Sequence, residues 1–209
     1  MSRQPIFNVP PITLWLSGVM IAVFAAIHLL PESVWAPVVY RMAVIPAFFG
    51  YLDQLPPLDA LTVVASLVFY ALIHYEPIHL IANLGFFLAF GSVCERQFGP
   101  RRYTVLLLVT TVVAALAQIA ASWGEETTLI GASGAVSGCI AAFCRLALAR
   151  HDPAGRRLAL NLIGFTIIAN ALFALMGGGF MGVDAQIAWQ AHIGGFLAGL
   201  LLGAPRRAA

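Results

Sequence analysis

"LIGASGAVSGC", residues 129–139, sets three glycines and two serines into a chain of bulky apolar runs. Gly134 and Gly138 are four apart, as are Ser133 and Ser137, so each pair shares one face of a helix. Small residues at that spacing let a second helix approach closely, which makes the stretch a packing seam. Ser133 also stands where an apolar helix over 133–149 begins. Free backbone N–H groups and the helix dipole favour developing negative charge at that point, although serine is equally a preferred N-cap.

Outward from this seam, the composition requires a membrane. The chain of 209 residues is 61% hydrophobic and 10% charged, against roughly 45–50% and about 25% in ordinary soluble domains. Runs approaching the about 20 residues that span a bilayer occur at 11–30, 78–94, 103–122, 133–149, 157–176 and 190–205. The expectation is an all-α membrane protein of six spans, with a domain over 11–205 between a cytoplasmic N-terminus, 1–10, and a tail, 206–209. The first run is too long for a signal-peptide core and lacks a small-residue cleavage pattern after it, so it reads as a retained anchor.

Charge orients the bundle. The basic residues are all arginine. With the N-terminus inside, Arg3, Arg96, Arg101, Arg102, Arg145, Arg150, Arg156, Arg157, Arg206 and Arg207 fall inside and only Arg41 outside, as cytoplasmic loops prefer. Most acids fall on the other side: Glu32, Asp53, Asp59, Glu76, Glu125, Glu126 and Asp184. An even number of spans and two cytoplasmic termini follow. Cys94, Cys139 and Cys144 lie in or near apolar helix, and an odd number there reads as packing rather than a disulfide framework.

The outer segment 31–77 carries Trp35, Tyr40, Phe48, Phe49, Tyr51 and the pair Pro56 and Pro57, a composition suited to the membrane–water interface. Its last part, "LTVVASLVFYALIH" (61–74), is apolar but too short to cross. A seventh span there would reverse the arginine bias, so a loop partly sunk in the membrane is expected.

Polar side chains within spans are functional candidates because lipid penalises them. His79 and Asn83 are four apart and could donate two hydrogen bonds to one point, or simply glue helices together. His74, with Pro77 between it and His79, cannot share their face by helical spacing and reads as a structural or loop residue. In the sixth run, His192, Gly195, Gly199 and Gly203 fall on one face. If this face packs on the Gly134 and Gly138 seam, Ser133 and His192 meet near the outer helix ends. A serine hydroxyl is a weak nucleophile until an adjacent base takes its proton, and His79, Asn83 and the Ser133 N–H are then candidate oxyanion donors.

Taken together, "HYEPIHLIAN" with His79 and Asn83, "GASG" with Ser133, and "AHIGG" with His192 resemble the rhomboid intramembrane serine proteases in order and spacing. The resemblance runs from about Leu61 to Gly203 and includes the turn "ERQFG". It implies a six-helix rhomboid-like bundle with Ser133 as nucleophile and His192 as general base, a dyad without a third carboxylate. It also implies an oxyanion hole of His79, Asn83 and the Ser133 N–H, Gly131 in the loop entering the site, and Gly195 and Gly199 bringing the fourth and sixth helices together.

By the same resemblance the substrates are transmembrane proteins cut in or near their membrane segment at small residues beside helix-destabilising ones. The partners are those substrates and the lipid bilayer; no nucleic acid, metal or cofactor is expected. The Arg-only, Ala-rich composition suggests a bacterial inner membrane, with the site open to the periplasmic side.

The chain departs from some family members at Ala65 and Ser66, where they carry Trp-Arg, and at Ser137, where they carry an aromatic. Two other classes compete. A non-catalytic relative that binds membrane proteins typically lacks the serine or the histidine, and both stand here. A small transporter would place polar groups near the midplane, but no inverted repeat and no acid deep in a span is visible.

Overall fold

The computed structural model describes residues 8–150, 152–176 and 188–204. The expectations for the first seven residues, for most of the outer loop before the last helix and for the 206–209 tail lie outside these. Apart from one isolated antiparallel bridge between Val44 and Leu129, the described residues form helices and their connections.

The elements run α1 (Pro11–Leu29), α2 (Glu32–Met42), α3 (Pro46–Phe49), α4 (Pro57–Phe69), α5 (Pro77–Phe86), α6 (Ser92–Phe98), α7 (Pro100–Ala121), α8 (Ser133–Ala149), α9 (Pro153–Met176) and α10 (Trp189–Leu202). Proline opens α1, α3, α4, α5, α7 and α9. It is favoured there because its fixed φ suits the first turn and its missing N–H would have had no partner. A turn of π-helix over Phe87–Gly91 joins α5 to α6 in one rod, and Gly91 leaves room there for the Tyr103 hydroxyl, which an added Cβ would approach to 2.6 Å. Gly99, at φ +73°, breaks that rod from α7.

Four helices are long and apolar enough to cross a membrane: Pro11–Leu29, Pro77–Phe98, Pro100–Ala121 and Pro153–Leu175. They coincide with four of the six expected runs. The runs expected at 133–149 and 190–205 form helices of 17 and 14 residues, or about 26 and 21 Å at 1.5 Å per residue. Both pack at the centre, against α7 and each other. α8 is buried along most of its length, while α10 keeps an exposed apolar stripe of Ile193, Leu197 and Leu201.

The apolar outer stretch is helical rather than irregular: α4 continues through a 3-10 turn, Tyr70–Leu72. It turns Leu58, Leu61, Val64 and Val68 outward while packing on α2 and α7. The end of the bundle at the start of α1 is fastened by a buried acid. Glu95 on α6 accepts the Ile12 N–H at 3.0 Å, and the Thr13 N–H and hydroxyl at 2.8 Å each. It thereby satisfies donors that helix geometry leaves orphaned at the start of α1. Arg102 of α7 performs the complementary task at the far end of α10, donating to the carbonyls of Leu202 and Ala204.

The three cysteines are free and buried. Cys94 donates to the Cys139 carbonyl at 3.4 Å, a packing contact within the core.

Candidate active site

The serine loop is built from the outside. Leu129 exchanges both backbone hydrogen bonds with Val44, at 2.9 and 3.1 Å, so the segment after α2 fixes the start of the loop. Gly131 then donates its N–H to the Tyr70 carbonyl at 2.9 Å, and Ala132 donates its own to His74 Nε2 at 3.3 Å. Tyr70 is itself fully buried and donates its hydroxyl to the Thr111 carbonyl at 2.9 Å. Gly131 sits at φ +103°, a region that residues with a Cβ rarely adopt. The His79 ring leaves no space at that position either, since an added Cβ would lie 2.6 Å from its Cε1 and Nε2 atoms.

Ala132, not Ser133, is the N-cap of α8, and Ser133 is the first helical residue, with no side-chain capping bond. The hydroxyl is therefore free of the capping role that sequence alone left open. The Ser133 amide lies in the first turn, where the helix supplies its N–H groups no acceptor of their own.

His192 occupies the first turn of α10, and its Nε2 lies 2.8 Å from Ser133 Oγ. Glycine makes this approach possible. A Cβ on Gly195 would run into the Gly134 carbonyl, one on Gly199 into the Gly138 carbonyl, and one on Gly203 would come within 2.5 Å of Ala142 Cα. The faces are not paired symmetrically, however. The vacant Cβ directions of Gly134 and Gly138 point to Ala114 and Thr110 of α7. The α8 glycines thus seat their helix against α7, while those of α10 bring His192 onto the α8 backbone. Gly194, which the sequence reading passed over, presses toward Ala117 and the Val113 carbonyl of α7.

Of the expected oxyanion donors, His79 is brought onto the serine loop through its contact with Gly131. Asn83 is buried, and its amide donates to the His79 carbonyl at 2.9 Å, within its own helix. His74 packs edge-on against the His79 ring, with centroids 4.9 Å apart. His74 is fully buried. That burial, and secondarily the nearby His79, lower its pKa to about 4, against an opposing contribution from the Leu72 carbonyl. It is a neutral acceptor, suited to hold the Ala132 amide.

A second neighbour of His192 went unremarked in the sequence. Asn170 on α9 is buried, and its Oδ1 lies 3.2 Å from His192 Nδ1. Phe173, one turn further along, places its ring edge-on to His192 at 6.2 Å. At Ser137, on which the packing beside His192 was expected to depend, there is no aromatic ring, and aromatic contact with His192 comes from α9. The available signal was a polar residue inside an apolar span, with Thr166, Asn170 and Phe173 on one face. Among the described residues no group of three or more His, Cys, Asp or Glu side chains converges as a metal cage would.

The Rhomboid domain family matches residues 62–208. Over 133 residues the chain is 29% identical to the rhomboid protease GlpG of Pectobacterium atrosepticum, covering 64% of this chain and 45% of that protein. It is 28% identical over 150 residues to rhomboid-like protease 1 of Toxoplasma gondii, covering 71% and 49%. Identity to the rhomboid protease GluP of Bacillus subtilis is 30% over 141 residues, covering 66% and 26%. The matched region is thus about half or less of each relative's own length.

Proposed function

The chain belongs to the rhomboid family, and from that premise we propose that this integral membrane protein is an intramembrane serine endopeptidase working through Ser133 and His192. The single observation that carries the reading is the 2.8 Å separation of His192 Nε2 and Ser133 Oγ, within the hydrogen-bond reach that a nucleophile and its base require.

The chemistry follows from that pair. Ser133 Oγ attacks the carbonyl carbon of the scissile peptide while its proton passes to His192 Nε2. The carbonyl oxygen becomes an oxyanion, held by the Ser133 N–H with His79 and Asn83. Collapse breaks the C–N bond, and His192 returns the proton to the leaving amine. Water then attacks the acyl-enzyme, giving a proton to His192, and as the acyl C–O bond breaks His192 returns that proton to Ser133 Oγ. Fixed donors aimed at the developing charge need no reorganisation at the moment of reaction. The substrates are transmembrane proteins, cleaved at small residues beside helix-destabilising ones, because a peptide bond within a helix is shielded until it unwinds.

The wider architecture proposed is six spans over a domain of 11–205, α8 and α10 adding to the four long helices, with 1–10 and 206–209 cytoplasmic. The ten-to-one arginine bias supports this orientation. The outward apolar side chains of α4 support a first outer loop partly set in the membrane. We place the protein in a bacterial inner membrane, with the site opening to the periplasmic side. Bacterial GlpG and GluP proteins among the relatives support the source.

A fluorophosphonate probe, which reacts with activated serines, tests the dyad in detergent. Wild type should label, and Ser133→Ala and His192→Ala should not. Absence of labelling in folded wild type would point to the non-catalytic class.

A further inference from the structure

The reach of His192 toward Ser133 leaves its second ring nitrogen to be accounted for. A neutral imidazole carries one N–H and one lone pair, and which nitrogen carries which is set by the partner of the other. For His192 to accept the Ser133 proton at Nε2, its N–H must be at Nδ1.

Asn170 supplies the partner that fixes this. Its Nδ2 donates to the Thr166 carbonyl at 2.8 Å. A carbonyl can only accept, so the amide orientation is determined: nitrogen toward Thr166, oxygen toward His192. The Oδ1 atom, 3.2 Å from His192 Nδ1, is likewise only an acceptor. A proton on Nδ1 completes this hydrogen bond, whereas a lone pair there would face another lone pair. Thr166 O, Asn170, His192 and Ser133 Oγ therefore form one directed chain, in which every group has a single compatible role.

The surroundings make the placement informative. Asn170 is buried on a helix whose neighbouring side chains, Ile167, Ile168 and Leu172, are exposed. An asparagine turned inward from such a helix satisfies both ends of its amide, and one of those ends is the histidine.

We propose that Asn170 is a positioning residue that holds His192 in its Nδ1–H tautomer, so that the Nε2 lone pair is presented to Ser133. The assignment rests on the reading of Ser133 and His192 as nucleophile and base, and adds a third, neutral member contributed by α9. A neutral amide fixes the tautomer and ring plane while bringing no negative charge into the membrane, where a carboxylate would be expensive.

The experiment has two readouts on detergent-solubilised protein carrying ¹⁵N-histidine, with His192 assigned by difference from His192→Gln. Imidazole ¹⁵N shifts in wild type should show Nδ1 protonated and Nε2 bare; the opposite tautomer, or rapid exchange between the two, overturns the assignment without need of any Asn170 variant. The rate of fluorophosphonate labelling should fall about 10- to 100-fold in Asn170→Leu, the range typical of lost orienting partners. Asn170→Asp, which keeps the acceptor oxygen, should recover most of that rate.

Tm is measured for each variant and labelling is compared at equal fractions folded; a packing role would appear as a lower Tm with an unchanged tautomer and an unchanged labelling rate per folded protein. Equal labelling by wild type and folded Asn170→Leu, with the Nδ1–H signal retained, would refute the role of Asn170 alone. Failure of wild type to label refutes the underlying dyad, while the tautomer signal is read independently of it.

Discussion

His74 Nε2 accepts the backbone N–H of Ala132 at 3.3 Å, joining residues 58 positions apart. The peptide that precedes Ser133 is thereby held by the end of the outer segment rather than by its own helix. Protonation of His74 would convert that acceptor into a donor facing a donor.

The pH consequence has a definite sign. His74 titrates near 6.5 when the chain is unfolded and near 4 when buried, so between those values the unfolded state binds more protons. Stability contributed by neutral His74 is present above pH 6.5 and is lost as the pH falls toward 4, by on the order of 3 kcal/mol. Thermal unfolding in detergent should show Tm falling across this window. His74→Gln keeps an acceptor without titrating and should have a shallower slope. Identical slopes for the two proteins would assign the pH dependence elsewhere.

Gly131→Ala should be damaging out of proportion to one methyl. It meets a left-handed φ of +103° and the His79 ring at 2.6 Å together. Residues forced into such conformations cost about 1–3 kcal/mol, and here the strain falls on the loop that presents the serine. The expected result is a labelling rate at least tenfold lower, with a measurable drop in Tm. Wild-type labelling would show that the loop can shift without disturbing Ser133.

Gly199→Ala tests the α8–α10 seam two turns along α10 from His192. Its methyl would have to displace the Gly138 backbone, and overpacking of this kind typically costs about 1–3 kcal/mol. Spreading the helices also lengthens the reach of His192, so labelling should fall along with Tm. Gly164→Ala is the control: nothing lies within 4 Å of its added Cβ, and neither quantity should change.

What the sequence disclosed depended on how local the signal was. Apolar runs located the helices because bilayer thickness sets their length, and the glycine spacings marked the faces of α8 and α10 because close approach demands the absence of a side chain. The pairing of those faces was only half legible. Spacing gives a face but not its partner, and the Gly134 side turned out to abut α7. His74 read as a structural or loop residue and lies in a loop, but its partner, the Ala132 amide, was not legible because helical periodicity cannot see a contact made across a proline-broken turn. Asn170 was passed over because its companions on the α9 face, Thr166 and Phe173, do not by themselves point to chemistry; its meaning lies in His192, 22 residues later and on another helix.

Glu95→Ala should lower stability without touching the chemistry. Three donors at the start of α1 end on that carboxylate, and leaving buried donors unpaired costs about 1–3 kcal/mol each at most sites. A Tm lowered by several degrees, with the labelling rate of the surviving folded protein unchanged, is expected. A selective loss of labelling would mean that α1 transmits to Ser133 and His192.

Asn83→Ala addresses the oxyanion hole. One proton of its amide is committed to the His79 carbonyl, so the side chain is anchored in its own helix and has one remaining proton to offer an oxyanion. Removing one such donor typically costs about 10²–10³ in turnover, while His79 and the Ser133 N–H would persist. A substrate-cleavage assay should therefore show kcat reduced by that factor with KM little changed, because the interaction forms only as charge develops. A loss as complete as that of Ser133→Ala, accompanied by a lowered Tm, would instead assign Asn83 to holding α5 and His79 in place.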